Sequence, residues 1–350
     1  MRAAVFLGKG MVATEQRRDP LIQSCADAVV RVDLACVCGS DLWLYRGESD
    51  YAPGSPIGHE FIGVVDQVGD DVTAVAPGDF VISPFTYSDG TCANCRNGMT
   101  SACVNGGFIP RDSHSGGQAE LVRVPLADGT LVKVPGAISD YSPLLRAALL
   151  TLSDVMGTGY HAAVCAGVEP GDTVAVVGDG AVGLCAVIAA KRLGAERVIA
   201  LSRNPRRQHL AKHFGATDIV AERGREAVEL VNDLTKGIGV DAALECVGTG
   251  ESVRTAIGVC RAGGMVGNVG LPHGVHIPAE RIFARNVGVR GGPAPVRAYL
   301  PTLLADVLAQ RVDPSPVFDF VTDLDHIGDA YAAMDERRAI KSLVEVAGSV

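Results

Sequence analysis

A chain of 350 residues is too long for one ordinary hydrophobic core, so two domains are expected. Its 47% apolar and 20% charged residues describe a soluble globular protein, and the net charge of −9 argues against a nucleic-acid or anionic-membrane surface. Ten cysteines without an export signal fit a reducing cytoplasm, with thiols used as ligands or core residues and not as disulfides.

Taken in chain order, the first part, Met1 to about Leu150, is rich in short strands. Ala28–Val32, Phe61–Val65 and Phe80–Ile82 are β-rich, and Pro77-Gly78-Asp79 is a turn between two of them. This pattern predicts a partly open antiparallel barrel. From Thr173 the pattern changes. Strands at Thr173–Val177, Val198–Leu201, Asp218–Val220, Ala242–Glu245 and Met265–Val269 alternate with helices at Ala181–Arg192, Pro205–Phe214, Glu226–Leu234 and Val253–Cys260. Such alternation predicts a parallel, doubly wound sheet. The longest apolar stretch, Val174 to Ala190, is broken by Asp179 and several glycines, so it is not a membrane span. The segment Leu324–Val346 ends in a helix and the strand Ser342–Val346, expected to return to the first domain.

Three clusters read as one zinc site: Cys38-Gly39-Ser40-Asp41, Gly58-His59-Glu60 and Asp154. A thiolate, an imidazole and a carboxylate suit Zn²⁺ and leave a fourth position for water or substrate. Asp41 is the candidate partner for the second nitrogen of His59. Downstream, Gly178-Asp179-Gly180-Ala181-Val182-Gly183 closes a strand and opens a helix, which is the dinucleotide fingerprint in its proper context. Gly178 permits the tight turn, Gly180 lets the backbone approach the pyrophosphate, and Gly183 lets helix and strand pack closely. The helix N-terminus offers N–H groups and a favourable dipole to the phosphates. Zinc with a nicotinamide cofactor points to hydride exchange at an alcohol or carbonyl carbon.

These motifs, with Gly63-Val-Val65 and Pro77-Gly-Asp79, resemble the zinc-dependent medium-chain alcohol dehydrogenases, in particular the bacterial secondary-alcohol dehydrogenases. The resemblance implies a GroES-like catalytic domain at 1–154 and 292–350, with a Rossmann domain inserted at 155–291. It also implies Cys38, His59 and Asp154 as zinc ligands, Glu60 as an alternate ligand, and Ser40 as the hydroxyl that takes the substrate proton. Many members carry a relay histidine where this chain has Trp43. Trp43 is therefore read as a wall of the pocket, a plain core residue being the alternative. Cys92, Cys95 and Cys103 match the tail of the family's structural-zinc loop. Asp89 stands at the first ligand position, and a metal-free loop is the alternative.

After the second strand of the alternating half, Ser202 occupies the position of the acidic residue that reads the ribose of NAD, and Arg203 follows. NADP is expected, with NAD as the alternative, because Arg203 can pair with a 2′-phosphate and no carboxylate is seen to repel one. Arg206 and Arg207 add charge or are solvated. By resemblance Lys341 reaches the cofactor pyrophosphate, unless it is a surface lysine. Phe85 matches the family residue beside the substrate carbon, and Trp43 and Phe108 are further pocket candidates. Such rings imply an apolar alcohol, ketone or aldehyde. A sorbitol- or threonine-type polyol or amino-alcohol dehydrogenase is one alternative, and a non-catalytic NADP(H)-binding redox sensor is another. A homodimer or homotetramer is expected, through the apolar strand Val287–Arg290 at the sheet edge.

Overall fold

The structure is a computed structural model that describes residues 1–113 and 115–346. The chain divides into two compact units. One holds Met1–Asp154 and resumes at Pro295, and the other is Val155–Ala294.

In the first unit the organising element is strand Ala28–Cys36, a run of β-branched and small residues buried at seven of its nine positions. It pairs antiparallel with Glu60–Val68 along one side. Along the other side Leu121–Val124 pairs with its first half and Lys341–Glu345 with its last residues. Phe80–Ser83 and Val132–Lys133 extend the sheet beyond Glu60–Val68. Phe318–Asp323 closes the opposite edge, parallel to Lys341–Glu345. A smaller sheet joins Met11–Gln16, Arg2–Gly8 and Ser55–Pro56. The core between them includes Phe61, Val65, Ile57, Val122 and Tyr331. One polar thread crosses it. The Tyr331 hydroxyl donates to Gln118 Oε1 at 2.9 Å, and Gln118 Nε2 donates to the carbonyl of Cys36 at 3.0 Å. Buried amides and hydroxyls need such partners.

The second unit is a six-stranded parallel sheet. Its order is Asp218–Val220, Arg197–Leu201, Thr173–Val177, Val240–Glu245, Cys260–Asn268 and Gly288–Gly291. The strands are apolar on both faces because helices cover both. Thr173–Val177 and Val240–Glu245 lie side by side although two strands separate them in sequence. This is the switch point where such sheets bind ligands. Gly288–Gly291 forms one edge of the sheet. Among the described residues no helix is long and apolar enough to cross a membrane.

Candidate active site

The side chains of the candidate metal site come from three places in the first unit. Cys38 follows strand Ala28–Cys36 and precedes the short helix Asp41–Tyr45. His59 immediately precedes strand Glu60–Val68. The turn that aims it depends on Gly58, whose φ is +87° and whose added Cβ would lie 2.4 Å from Gln118 Cγ. Asp154 follows helix Pro143–Thr151.

Cys38, His59, Glu60 and Asp154 bring one ligand atom each within 4.8 Å of the others. Cys38 Sγ lies 3.6 Å and His59 Nε2 3.4 Å from Asp154 Oδ2. Asp41 accepts from the backbone N–H of Cys38 at 3.0 Å and faces His59 Nδ1 at 3.2 Å. It thus fixes the ring so that Nε2 points into the cluster. Burial, then Glu60 and Asp154, push the Cys38 thiol up. Burial disfavours a charged His59, but Asp41, Cys38 and Asp154 outweigh it and hold its pKa well above the ordinary value. A soft thiolate, an imidazole and two carboxylates in this space fit Zn²⁺, whose charge would reverse the thiol's reluctance to ionise.

Glu60 is fully buried, and burial raises its pKa. Its Oε1 accepts from Lys341 Nζ at 2.7 Å and its Oε2 from Cys36 Sγ at 3.2 Å. Lys341 therefore departs from the expectation of a residue reaching for the pyrophosphate. It is 1% exposed, and its ammonium turns inward to Glu60 and the carbonyl of Val37. It is not a surface lysine either. Ser40 caps helix Asp41–Tyr45 without a side-chain capping bond, so its hydroxyl is not spent on the helix. Trp43 is half-buried on that helix, one turn after Ser40.

Phe85 stands beside this cluster, tied by its backbone N–H to the carbonyl of Ser153 at 3.2 Å. Its ring meets His59 edge-on with centroids 6.2 Å apart, and Phe108 lies 6.1 Å beyond Phe85. The guanidinium of Arg111 covers Phe108 at 5.1 Å. The rings of His59, Phe85 and Phe108 form a row. A cavity of about 540 Å³ is lined by Asp50, Tyr51, Ala52, Ser55, Pro56, Pro110 and Arg111.

A second cluster gathers Asp89, Cys92, Cys95 and Cys103 on the loop around helix Ala93–Arg96. Asp89 Oδ1 accepts from the N–H groups of Thr91 and Cys92 at 2.8 and 2.9 Å, and Oδ2 accepts from Asn105 at 2.7 Å. The Cys92 N–H foremost holds its carboxyl well below the usual range. Burial pushes the Cys95 thiol up to about 12.

In the second unit, Gly180 caps helix Ala181–Arg192 and has open space where a Cβ would stand. Ala181 and Val182 form the first turn of that helix. At Gly183 a Cβ would lie 2.0 Å from the carbonyl oxygen of Gly178, so only glycine fits. The expectation that no carboxylate stands at the end of strand Arg197–Leu201 fails. Asp179, between the two glycines, accepts from the Ser202 hydroxyl at 2.9 Å. Arg207 is not a solvated helix residue. It is buried, and its Nη1 donates to the carboxylate and the carbonyl of Asp179 at 3.3 Å each. Arg203 is exposed. An acidic residue inside the glycine fingerprint was the signal available in the sequence.

An alcohol dehydrogenase GroES-like domain matches residues 25–136, and a zinc-binding dehydrogenase domain matches residues 181–308. A zinc-type alcohol dehydrogenase B of Aspergillus flavus is 37% identical over 320 residues, covering 89% of this chain and 73% of the relative. The uncharacterized zinc-type alcohol dehydrogenase-like protein AdhB of Bacillus subtilis is 33% identical, covering 96% of this chain and 97% of its own. The solved alcohol dehydrogenase TADH from Thermus sp. ATN1 superposes with a TM-score of 0.90 at 36% identity, covering 99% of this chain and 100% of its own. The chain belongs to the zinc-dependent medium-chain alcohol dehydrogenase family. It is an oxidoreductase that uses zinc and a nicotinamide cofactor, built from a GroES-like domain and a Rossmann-type parallel sheet.

Proposed function

We propose that Cys38, His59 and Asp154 hold the catalytic zinc, with Glu60 as alternate ligand, and that the substrate is an apolar alcohol or its ketone or aldehyde. The row of rings from His59 through Phe85 to Phe108 carries the substrate reading, since it offers an apolar wall beside the reacting oxygen. Bound in this site, zinc supplies a Lewis acid for that oxygen and the dinucleotide supplies or accepts hydride. Ser40 takes the proton from the alcohol, and Asp41 keeps His59 turned into the cluster. Trp43 stands where a relay histidine would and adds bulk at the pocket. Asp89, Cys92, Cys95 and Cys103 hold a second, structural zinc.

The charged lining of the cavity at Asp50 and Arg111 favours one second reading, a polyol or amino alcohol whose far end is polar. For the cofactor, exposed Arg203 supports NADP, whereas Asp179 beside Ser202 supports NAD. We further propose a homodimer or homotetramer through the edge at Gly288–Gly291. None of the ten cysteines is in a disulfide, which supports a cytoplasmic location.

The test is a spectrophotometric screen of apolar secondary alcohols, aromatic alcohols, polyols and amino alcohols with both cofactors. Apolar alcohols should give the highest kcat/KM, and Phe85→Ala should raise their KM. A polyol or amino alcohol turned over most efficiently would overturn the substrate reading.

A further inference from the structure

We propose that Asp179, and not a residue at the end of strand Arg197–Leu201, reads the adenosine ribose, and that it selects NAD against NADP. The inference rests on the reading of the second unit as the dinucleotide domain. In such sheets the ribose hydroxyls of the adenosine meet a carboxylate just past the second strand of the fold. Here Ser202 fills that place and has no charge of its own. The carboxylate is delivered from the glycine-rich loop instead. Asp179 crosses to Ser202 and accepts its hydroxyl at 2.9 Å.

The arrangement is held from three directions. Ser202 is 4% exposed, and its carbonyl accepts from Gln208 Nε2 at 2.7 Å. Arg207 is 7% exposed and grips both the carboxylate and the main-chain carbonyl of Asp179. Asn204 caps helix Pro205–His213 and so fixes the turn that carries Arg207 inward. Arg207 thus helps to keep the Asp179 carboxylate in place. Arg203 is an exposed guanidinium at this strand end.

The chemistry follows from the sign of the charge. A carboxylate accepts from the 2′-hydroxyl of NAD. The same carboxylate opposes the dianionic 2′-phosphate of NADP at contact distance. The half-buried, oriented carboxylate should outweigh the exposed guanidinium, because Arg203 must give up rotamer freedom to pair with the phosphate.

The experiment is calorimetric titration of the zinc-loaded enzyme with NAD and NADP, which reads binding and not turnover. The fragments adenosine 5′-monophosphate and adenosine 2′,5′-bisphosphate are titrated alongside. Wild-type protein should bind NAD at least about ten-fold more tightly than NADP, the worth of one charge-assisted hydrogen bond. Adenosine 5′-monophosphate should likewise bind more tightly than the bisphosphate. Asp179→Asn should weaken NAD and leave NADP unchanged or tighter, in protein that still melts cooperatively. Equal or tighter NADP binding by the wild type overturns the proposal without using any variant, and leaves the dehydrogenase reading intact. Equal losses for both cofactors in Asp179→Asn also overturn it, since Asp179 would then only shape the loop. Failure of the wild type to bind either dinucleotide would overturn this proposal and the reading of the second unit together.

Discussion

Replacing Lys341 with Met leaves Glu60 as a buried carboxylate without its cation. Lys341 and Glu60 are 1% and 0% exposed, and their charged atoms are 2.7 Å apart. Burial opposes the Lys341 ammonium, but Cys36 and Glu60 around it lift its pKa well above the ordinary value. At that distance the attraction is roughly 6 kcal/mol for an effective dielectric of about 20, and desolvation of both groups offsets much of it. What remains decisive is the cost of breaking the pair from one side, about 3–5 kcal/mol. The Cys36 thiol still donates to Glu60 Oε2, but a neutral donor at 3.2 Å does not replace the ammonium. Urea unfolding after metal removal, so that zinc affinity does not enter, should show Lys341→Met destabilised by about 3–5 kcal/mol. Adding Glu60→Gln should recover at least about half of that loss, because the stranded charge is gone. A single variant within about 1 kcal/mol of wild type, or a double variant costing the sum of both singles, would refute the reasoning.

Elemental analysis of protein prepared without chelator should find about two zinc ions per chain, and Asp89→Ala should lose about one of them. Asp154→Ala should lose the other zinc and the activity while the circular dichroism spectrum stays native. Full zinc and full activity would show that a different group is the third ligand. Asp218 is held below the ordinary carboxylate range by its forked bond with Arg197. Its contribution is therefore present above an unfolded pKa of about 3.9 and lost as pH falls through the lower folded value. Asp218→Asn should flatten the acid side of a melting-temperature profile, and an unchanged slope there would count against the pairing. Light scattering should give a dimer or tetramer mass, and a monomer at micromolar concentration would contradict the proposed edge-strand interface.

The parts of this fold legible in the sequence were those with strong local signals. The alternation of apolar strands with helices from Thr173 onward gave the parallel sheet, with ends shifted by a few residues. Strand Cys260–Asn268, for example, begins five residues before the expected Met265, because Arg-Ala-Gly-Gly reads as a turn yet enters the strand as an irregularity, with Gly263 at φ +73° and the pairing register shifting across it. Helix Val296–Leu308 was not foreseen. Pro301 lies inside it and normally argues against a helix. The metal clusters were legible because Cys, His and Asp with flanking glycines are chemically specific. Long-range pairings were not. Nothing near Glu60 in sequence announces Lys341, and Ser202 gives no hint that its acidic partner precedes it by a whole helix and strand. Contacts of that kind are set by topology and not by local pattern.

Strand Lys341–Glu345 inserts beside the end of Ala28–Cys36, the strand that leads to Cys38. This imposes an order of events on the ribosome. Cys38, His59, Glu60 and Asp154 are all translated before the second unit begins at Val155, and Lys341 only after that unit is finished. In the interval the nascent sheet has an open edge at Leu34–Cys36, and Glu60 lacks its counter-charge. A fragment truncated just before Lys341 would retain every proposed zinc-binding side chain and still lack the cation that holds Glu60 in place.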